Sequence, residues 1–455
     1  MSIKFKNKLT IISIPYLRLK RILLFPDFID SISSYSDILI VSSENEKIRS
    51  TKKNISYFSL NNKISKFSNF FYNLSEFLRF FGFYRRERNN GLMYYYNEMF
   101  LDINSDGIVS EKPVYKKILM YFLSIIGSFE TSWIFFDKII GRYIFNEPSL
   151  LEITNNYKNI SIIQSSNWGF NDRKLAWISK KQNWKKILIP YTTDQLFCNG
   201  FLISNFDYVL VQGPNEFNYA IDLHKLNPEK IIKFGSLLFR HLDKVVNEIK
   251  KVNTEKRILF AGISKQYFPL ASQMRVIDLI CKNIENDKLS NVKLILRPFL
   301  NKYDLNFFKK KYSKKPYIEF ELPEISNYGL VQKEEKDFLK EFENYIINLS
   351  KIDLLIIPAI TSLILESSYL GIPIISVVDD PTGNLNKRNI NILINNNNKI
   401  KLLNNLKFVY NIETLIKTIN KIFSIKSDKS YKELSKYWDY EKINYKEKLK
   451  FLISN

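Results

Sequence analysis

Short, β-rich apolar runs separated by longer segments of helical period dominate this chain and restrict what it can fold into. The first series is LTIISI (9–14), DILIVSS (37–43), ISIIQSS (160–166), KILIPY (186–191), DYVLVQG (207–213) and KIIKFGS (230–236). The second is RILFAG (257–262), NVKLILRP (291–298), YIEFEL (317–322), DLLIIPA (353–359), IPIISVV (372–378) and LKFVYN (406–411). Strands apolar along their whole length are covered on both faces, and intervening helices are the crossovers that parallel strands need. The pattern predicts an α/β chain of two Rossmann-like, doubly wound domains, 1–242 and 257–427, divided by the charged stretch from about 240 to 256, with a helical segment at 428–455. From about 62 to 150 the rhythm gives way to aromatic-rich helical sequence, including FYNLSEFLRFFGF and KKILMYFLSIIGSFETSWIFFDKII. These helices are expected to cover or extend the first sheet by core packing, with contact to a membrane surface as the alternative. Two such domains face each other across a cleft lined by the carboxyl ends of their strands, where ligands bind.

A chain of 455 residues, 45% hydrophobic and 15% aromatic, has enough apolar material for two cores. Its 68 Lys and Arg against 46 Asp and Glu give a formal charge of +22. Such a surplus fits an anionic partner, whether nucleic acid, a phosphorylated ligand or an acidic membrane face. The wealth of Ile, Asn and Lys and the shortage of Gly also fit an AT-rich coding sequence, which would raise the Lys content without any functional demand. No nucleic-acid-binding signature accompanies the charge, so no nucleic-acid partner is expected. Cys198 and Cys281 stand outside any C-x-x-C spacing, which argues against a disulfide framework or zinc site and for a reducing, cytoplasmic setting. The lysine-interrupted start is not expected to act as a signal peptide, and ILMYFLSIIGSF (118–129) is too short to span a bilayer. His224 and His241 lie away from strand ends, and no D-x-D follows a strand, so no metal is expected.

The segment IDLLIIPAITSLILESSYLGIPIISVV (352–378) reads strand, polar turn, helix, Gly-Ile-Pro, strand, and holds one acid in an apolar run. Thr361 and Ser362 open the helix, whose first backbone N–H groups and positive dipole end suit a phosphate. Glu366, four residues past Ser362 on the same face, can accept from both hydroxyls of a ribose, and the pair suits a nucleotide. The structural alternative is that Ser362 caps the helix and Glu366 is solvated or paired.

The stretch ITSLILESSYLGIPII resembles the donor-nucleotide motif of GT-B glycosyltransferases of the bacterial surface-polysaccharide and CDP-glycerol-transferase kind. The run from IPYTTDQLFCNG to IIKFGS is similar to the second half of their N-terminal domain, with Asp194, Gly213 and Gly235 at the matching places. RILFAGIS resembles the first strand and phosphate loop of their donor domain, and KLILRPF a later strand. The resemblance implies a GT-B fold and donor binding by Gly262, Ser264, Lys265, Arg297, Thr361, Ser362 and Glu366, with Asp194 as general base. It implies a metal-independent transferase that needs no cofactor and moves a sugar from a nucleotide donor to a surface glycan, such as capsule or lipopolysaccharide, or its lipid-linked precursor. The basic residues Lys20, Arg21, Arg85, Arg86 and Arg88 are expected to hold such an enzyme peripherally on an anionic inner membrane. Departures from the family pattern are Phe299 in place of a common His, Pro358 where an E-x7-E pattern needs an acid, and the single Gly262 of the phosphate loop. The missing acid favours an inverting mechanism. The alternatives on the same build are a CDP-glycerol-type glycerophosphotransferase, a UDP-sugar 2-epimerase and an inactive scaffold.

Overall fold

The computed structural model describes residues 7–14, 26–43, 54–60, 65–103, 109–166, 169–192, 195–237, 242, 255–263, 268–298, 302–321, 335–358, 361–379, 403–424, 434 and 445–454. The first sheet contains β1 (Lys8–Ile14), β2 (Asp37–Ser43), β3 (Ile55–Leu60), β6 (Asn159–Gln164), β7 (Lys185–Leu188), β8 (Tyr208–Val211) and β9 (Ile231–Lys233), while β4 (Leu101–Ile103) and β5 (Val109–Glu111) form a separate antiparallel pair. The strand order is β3-β2-β1-β6-β7-β8-β9, with every pairing parallel. The second sheet takes β10 (Lys256–Ala261), β11 (Val292–Arg297), β12 (Ile318–Phe320), β13 (Leu354–Ile357), β14 (Ile374–Val377) and β15 (Leu406–Val409) in the order β12-β11-β10-β13-β14-β15, again all parallel. In both, the chain winds outward from one central strand and then restarts on its other side, the doubly wound order.

Both sheets are sandwiched. Ile12, Ile14, Ile38 and Ile40 face one side of the first sheet with Phe28 and Ile32, while Leu9, Ile11, Leu39 and Val41 face the other with Leu175 and Ile178. The alternation within each fully buried strand is the two-residue period of the pleat. In the second sheet Leu259, Leu355 and Ile357 pack on one side, and Ile258, Phe260, Leu354 and Ile356 on the other. Leu242 and Leu434 join the second core, whereas Leu449, Leu452 and Ile453 of the last helix, Tyr445–Ser454, join the first. The chain end therefore returns to the domain in which it began.

Every strand read from the sequence is present, and β3 is an addition to them. The insertion is largely helical, with helices Lys66–Arg86, Val114–Gly127 and Glu130–Tyr143, and it also carries the small β4–β5 hairpin. It is fixed to the first domain by buried charge. Arg79 and Arg173, both almost wholly buried, share Glu76, and Arg173 also pairs with Asp137. Burial pushes the Glu76 carboxyl up, but the two guanidinium groups outweigh it and hold the acid ionised below its ordinary range. Core packing, expected of all these helices, holds for Leu78, Phe83 and Trp133, which pack with Phe197 and Phe201. It fails for Val114–Gly127, which buries only Ser124 and Gly127.

Candidate functional site

In the second sheet the switch of winding direction falls between β10 and β13, so the carboxyl ends of these two strands lie side by side. Gly262 directly follows β10, and its N–H donates to the carbonyl of Arg297, the last residue of β11, at 2.8 Å. Gln273 holds the next turn. Its Oε1 accepts from Ile263 N at 3.3 Å, and its Nε2 donates to the carbonyls of Ile263 and Phe268 at 3.0 and 2.8 Å. Nothing in the sequence marked Gln273, because its role depends on the helix Leu270–Glu285 folding back against the turn it clamps.

Across the crevice Thr361 caps the helix Ser362–Tyr369. Its extended backbone turns Oγ1 to accept from Leu363 N at 3.3 Å, so Thr361 takes the capping place that the sequence offered to Ser362. At the far end Gly371 adopts φ +70°, a left-handed conformation open to Gly. There Gly371 N and Ile372 N close on the carbonyls of Ser368 and Ser367, and the chain passes directly into β14. The Leu-Gly-Ile-Pro signal is thus the stop of a two-turn helix.

Glu366 is 2% exposed. Its Oε2 accepts a hydrogen bond from the hydroxyl of Tyr345, on the helix Glu335–Ser350. The Tyr345 ring in turn carries the Arg297 guanidinium, whose Cζ lies 5.0 Å from the ring centroid. Arg297 Nη2 pairs with Glu321 Oε1 at 2.7 Å. Burial works against the Arg297 charge, but Tyr345 and Glu321 overcome it and hold the guanidinium pKa above its ordinary value. The result is a chain from Glu321 through Arg297 and Tyr345 to Glu366. The sequence reading placed Arg297 and Glu366 at this crevice; it missed Glu321 and Tyr345, which stand in no motif. Gly262 meets Arg297 there through the backbone, while Thr361 caps the helix that follows β13 and Ser362 begins it. The side chain of Ser362, and Ser264, Lys265, Phe299, Asp194, Lys20, Arg21 and His241 altogether, lie outside the described residues.

The first sheet has its own switch point between β1 and β6, where Ser13 is paired in register with Gln164. Asp172, in the first turn of the helix Phe170–Lys181, is fully buried there. Ser13 Oγ donates to Asp172 Oδ1 at 2.8 Å, and Gln164 Nε2 to the Asp172 carbonyl at 2.8 Å. Asp172 Oδ2 and Gln164 Oε1 are buried with no hydrogen-bond partner among the described residues. Burial drives the Asp172 carboxyl up to about 7, although bonding from Ser13, Ser166 and Gln164 pulls the other way. The sequence reading passed over this acid. Its signal, an Asp in the first turn of the helix after β6, becomes informative only once β6 is known to lie beside β1.

His224 is structural. Its ring stacks on Phe83 at 5.2 Å, its Nε2 contacts the Leu196 carbonyl at 2.6 Å, and burial holds its pKa down at about 4. No group of three or more His, Cys, Asp or Glu side chains able to hold a metal occurs among the described residues.

No family model and no curated protein matches the chain. Solved structures do resemble it. S. aureus MnaA in its UDP co-structure is 8% identical, with a TM-score of 0.51 over 99% of this chain and 98% of that one. The UDP-GlcNAc 2-epimerase of Methanocaldococcus jannaschii is 11% identical, with a TM-score of 0.51 over 98% of this chain and all of that one. Likeness across the whole length of both chains, together with two doubly wound sheets and a returning last helix, makes the fold GT-B.

Proposed function

We propose that the protein is a nucleotide-sugar glycosyltransferase whose second domain binds the donor at the β10–β13 crevice and whose first domain presents a glycan or glycolipid acceptor. The observation that carries this reading is the placement of Glu366 one turn into a Thr361-capped helix, opposite the Gly262 turn. The helix start would take the diphosphate, through backbone N–H groups and the hydroxyls of Thr361 and Ser362. Gly262 would allow close backbone approach, and Ser264, Lys265 and Arg297 would complete the anion site. Glu366 would accept from the ribose hydroxyls, with Tyr345 yielding its hold on Oε2 as the nucleoside enters.

In the transfer itself an acceptor hydroxyl attacks the anomeric carbon as the bond to the diphosphate oxygen breaks. Asp194, assigned from the resemblance as base, takes the hydroxyl proton, and the nucleoside diphosphate departs with the electron pair. The configuration inverts in this single displacement, and no metal or further cofactor is required. We place the enzyme in the cytoplasm, where nucleotide sugars are made.

A second reading is a nucleotide-sugar 2-epimerase, favoured by the full-length likeness to the M. jannaschii enzyme. Melting curves with UDP, CDP, GDP, CMP and their sugar conjugates, on the wild type and Glu366→Ala, test the donor site. A selective upward shift of a few degrees that the variant abolishes is expected. No shift with any nucleotide removes both readings and leaves the inactive scaffold. With the donor known, release of nucleoside diphosphate only when a glycan acceptor is added identifies the transferase. A new nucleotide sugar formed without an acceptor identifies the epimerase.

A further inference from the structure

We propose that the outward face of the helix Val114–Gly127, with Phe129 at the turn that follows, docks on an anionic lipid bilayer and lies in its headgroup region. The helix is inside out for a water-soluble surface. Its buried residues are Ser124 and Gly127, while Tyr115, Ile118, Leu119, Phe122 and Ile126 recur at three- and four-residue spacing on the opposite side. These five and Phe129 are between 48% and 69% exposed.

The inner contact shows why so little of the helix is buried. A Cβ at Gly127 would lie 2.3 Å from the Leu78 carbonyl oxygen, and one at Gly82 would lie 1.9 Å from the Gly127 carbonyl carbon. The two helices thus cross backbone to backbone at small residues, the packing used where the surrounding solvent is lipid. Large apolar side chains are left to face outward.

Length and charge decide how this face meets lipid. A helix of 14 residues is about 21 Å long, short of a hydrocarbon core of about 30 Å, and it bends by 89° into the helix Glu130–Tyr143. It therefore lies along a surface rather than crossing it. Glu111 and Glu130, the acids flanking the stripe, are each ion-paired, with Lys117 and Arg86 respectively. Lys116 stands exposed beside the stripe, and Arg85 packs over Tyr121 at 4.6 Å. A chain of net charge +22 complements an anionic leaflet, whereas a second copy would set like charge against like.

The arginines that the sequence put forward for this task are partly occupied. Arg86 is engaged with Glu87, Glu130 and the Leu223 carbonyl, so apolar insertion of the neighbouring helix supplies attachment beyond what these basic residues give.

The test is cosedimentation of the full chain with phosphatidylcholine vesicles, with and without phosphatidylglycerol, for the wild type and Ile118→Glu/Phe122→Glu. The wild type is expected to bind the anionic vesicles and to retain part of that binding in high salt. The variant should lose at least tenfold in partition with an unchanged melting temperature. Equal partition of the two proteins, or no binding by the wild type at any salt, overturns the proposal. So does a wild-type dimer without lipid that the variant turns into monomer, since the face would then belong to a second copy.

Discussion

The two sheets share one winding order, yet the crevices at their switch points are built differently. In the second domain a helix begins at an exposed Thr361, with a glycine turn opposite, and the acid behind it is tied to Tyr345. In the first domain Gly169 precedes the corresponding helix with φ +100° and offers no side-chain cap, and the polar groups Ser13, Gln164 and Asp172 are buried and bonded to one another, with Asp172 Oδ2 and Gln164 Oε1 left over. Topology fixes where a ligand can enter; side chains decide what chemistry waits there. One crevice is the place proposed for an anion with a diol beyond it. The other stores a carboxyl whose pKa burial raises to about 7.

The largest effect expected from breaking this contrast is at Glu366. Glu366→Gln keeps an acceptor for Tyr345 but removes the charge, and hydrogen bonds to charged groups are worth roughly 1.5–3 kcal/mol. Nucleotide affinity, read by calorimetry with the nucleotide that shifts melting, should fall about 10- to 100-fold. Melting without nucleotide should change little. A variant that binds as tightly as the wild type would remove Glu366 from the donor site.

Asp172 sharpens the comparison through pH. The unfolded carboxyl ionises near pH 4, whereas the folded one keeps its proton up to about 7. The contribution of the neutral acid is fully present below the unfolded pKa and is lost as pH rises through the folded value. Asp172→Asn mimics the protonated form. Its melting temperature relative to wild type should therefore climb between pH 4 and 7 and level off above about pH 8, a gain on the order of a few kcal/mol. A pH-independent difference would mean that Asp172 ionises at no cost.

The strands were legible because each is apolar on both faces and bounded by turn residues, as IDLLIIP shows against the observed Leu354–Ile357. Gly262 and Arg297 were legible as strand-end residues and Thr361 as part of a helix start, because each follows directly from a local pattern in the sequence. Tyr345 was not, because it comes from a helix 21 residues before Glu366 and meets it only in three dimensions. The reversed helix Val114–Gly127 was misread for a related reason. An apolar helical period says that one face seeks an apolar partner, and it does not say whether that partner is the core. Only the Gly82–Gly127 crossing, which puts the small residues inward, decides it.

A smaller effect is expected at Tyr345, whose hydroxyl in the free protein occupies Glu366 Oε2, the atom that the proposed function gives to the ribose. Tyr345→Phe removes the competitor, and one hydrogen bond is worth about 1 kcal/mol. Titration calorimetry should show nucleotide binding tightened up to about fivefold. Weakened binding would instead make Tyr345 the residue that orients the carboxylate, and the Arg297 guanidinium stacked on its ring would share that positioning role.

The smallest effect separates the two helix starts. Thr361 Oγ1 satisfies Leu363 N, a service that Gly169 cannot perform in the first domain. Thr361→Ala should cost about 1 kcal/mol of local stability. Hydrogen exchange at the Leu363 amide should accelerate about fivefold by the same reckoning, with Thr361→Ser restoring most of the protection. Amides early in the helix Phe170–Lys181 should be unaffected, because nothing in that helix depends on this cap. If the Ala variant leaves Leu363 exchange unchanged, the first turn is held by the burial of its own Ile364 and Leu365 in the core rather than by the cap, and the helix start proposed for the diphosphate does not depend on Thr361 for its order.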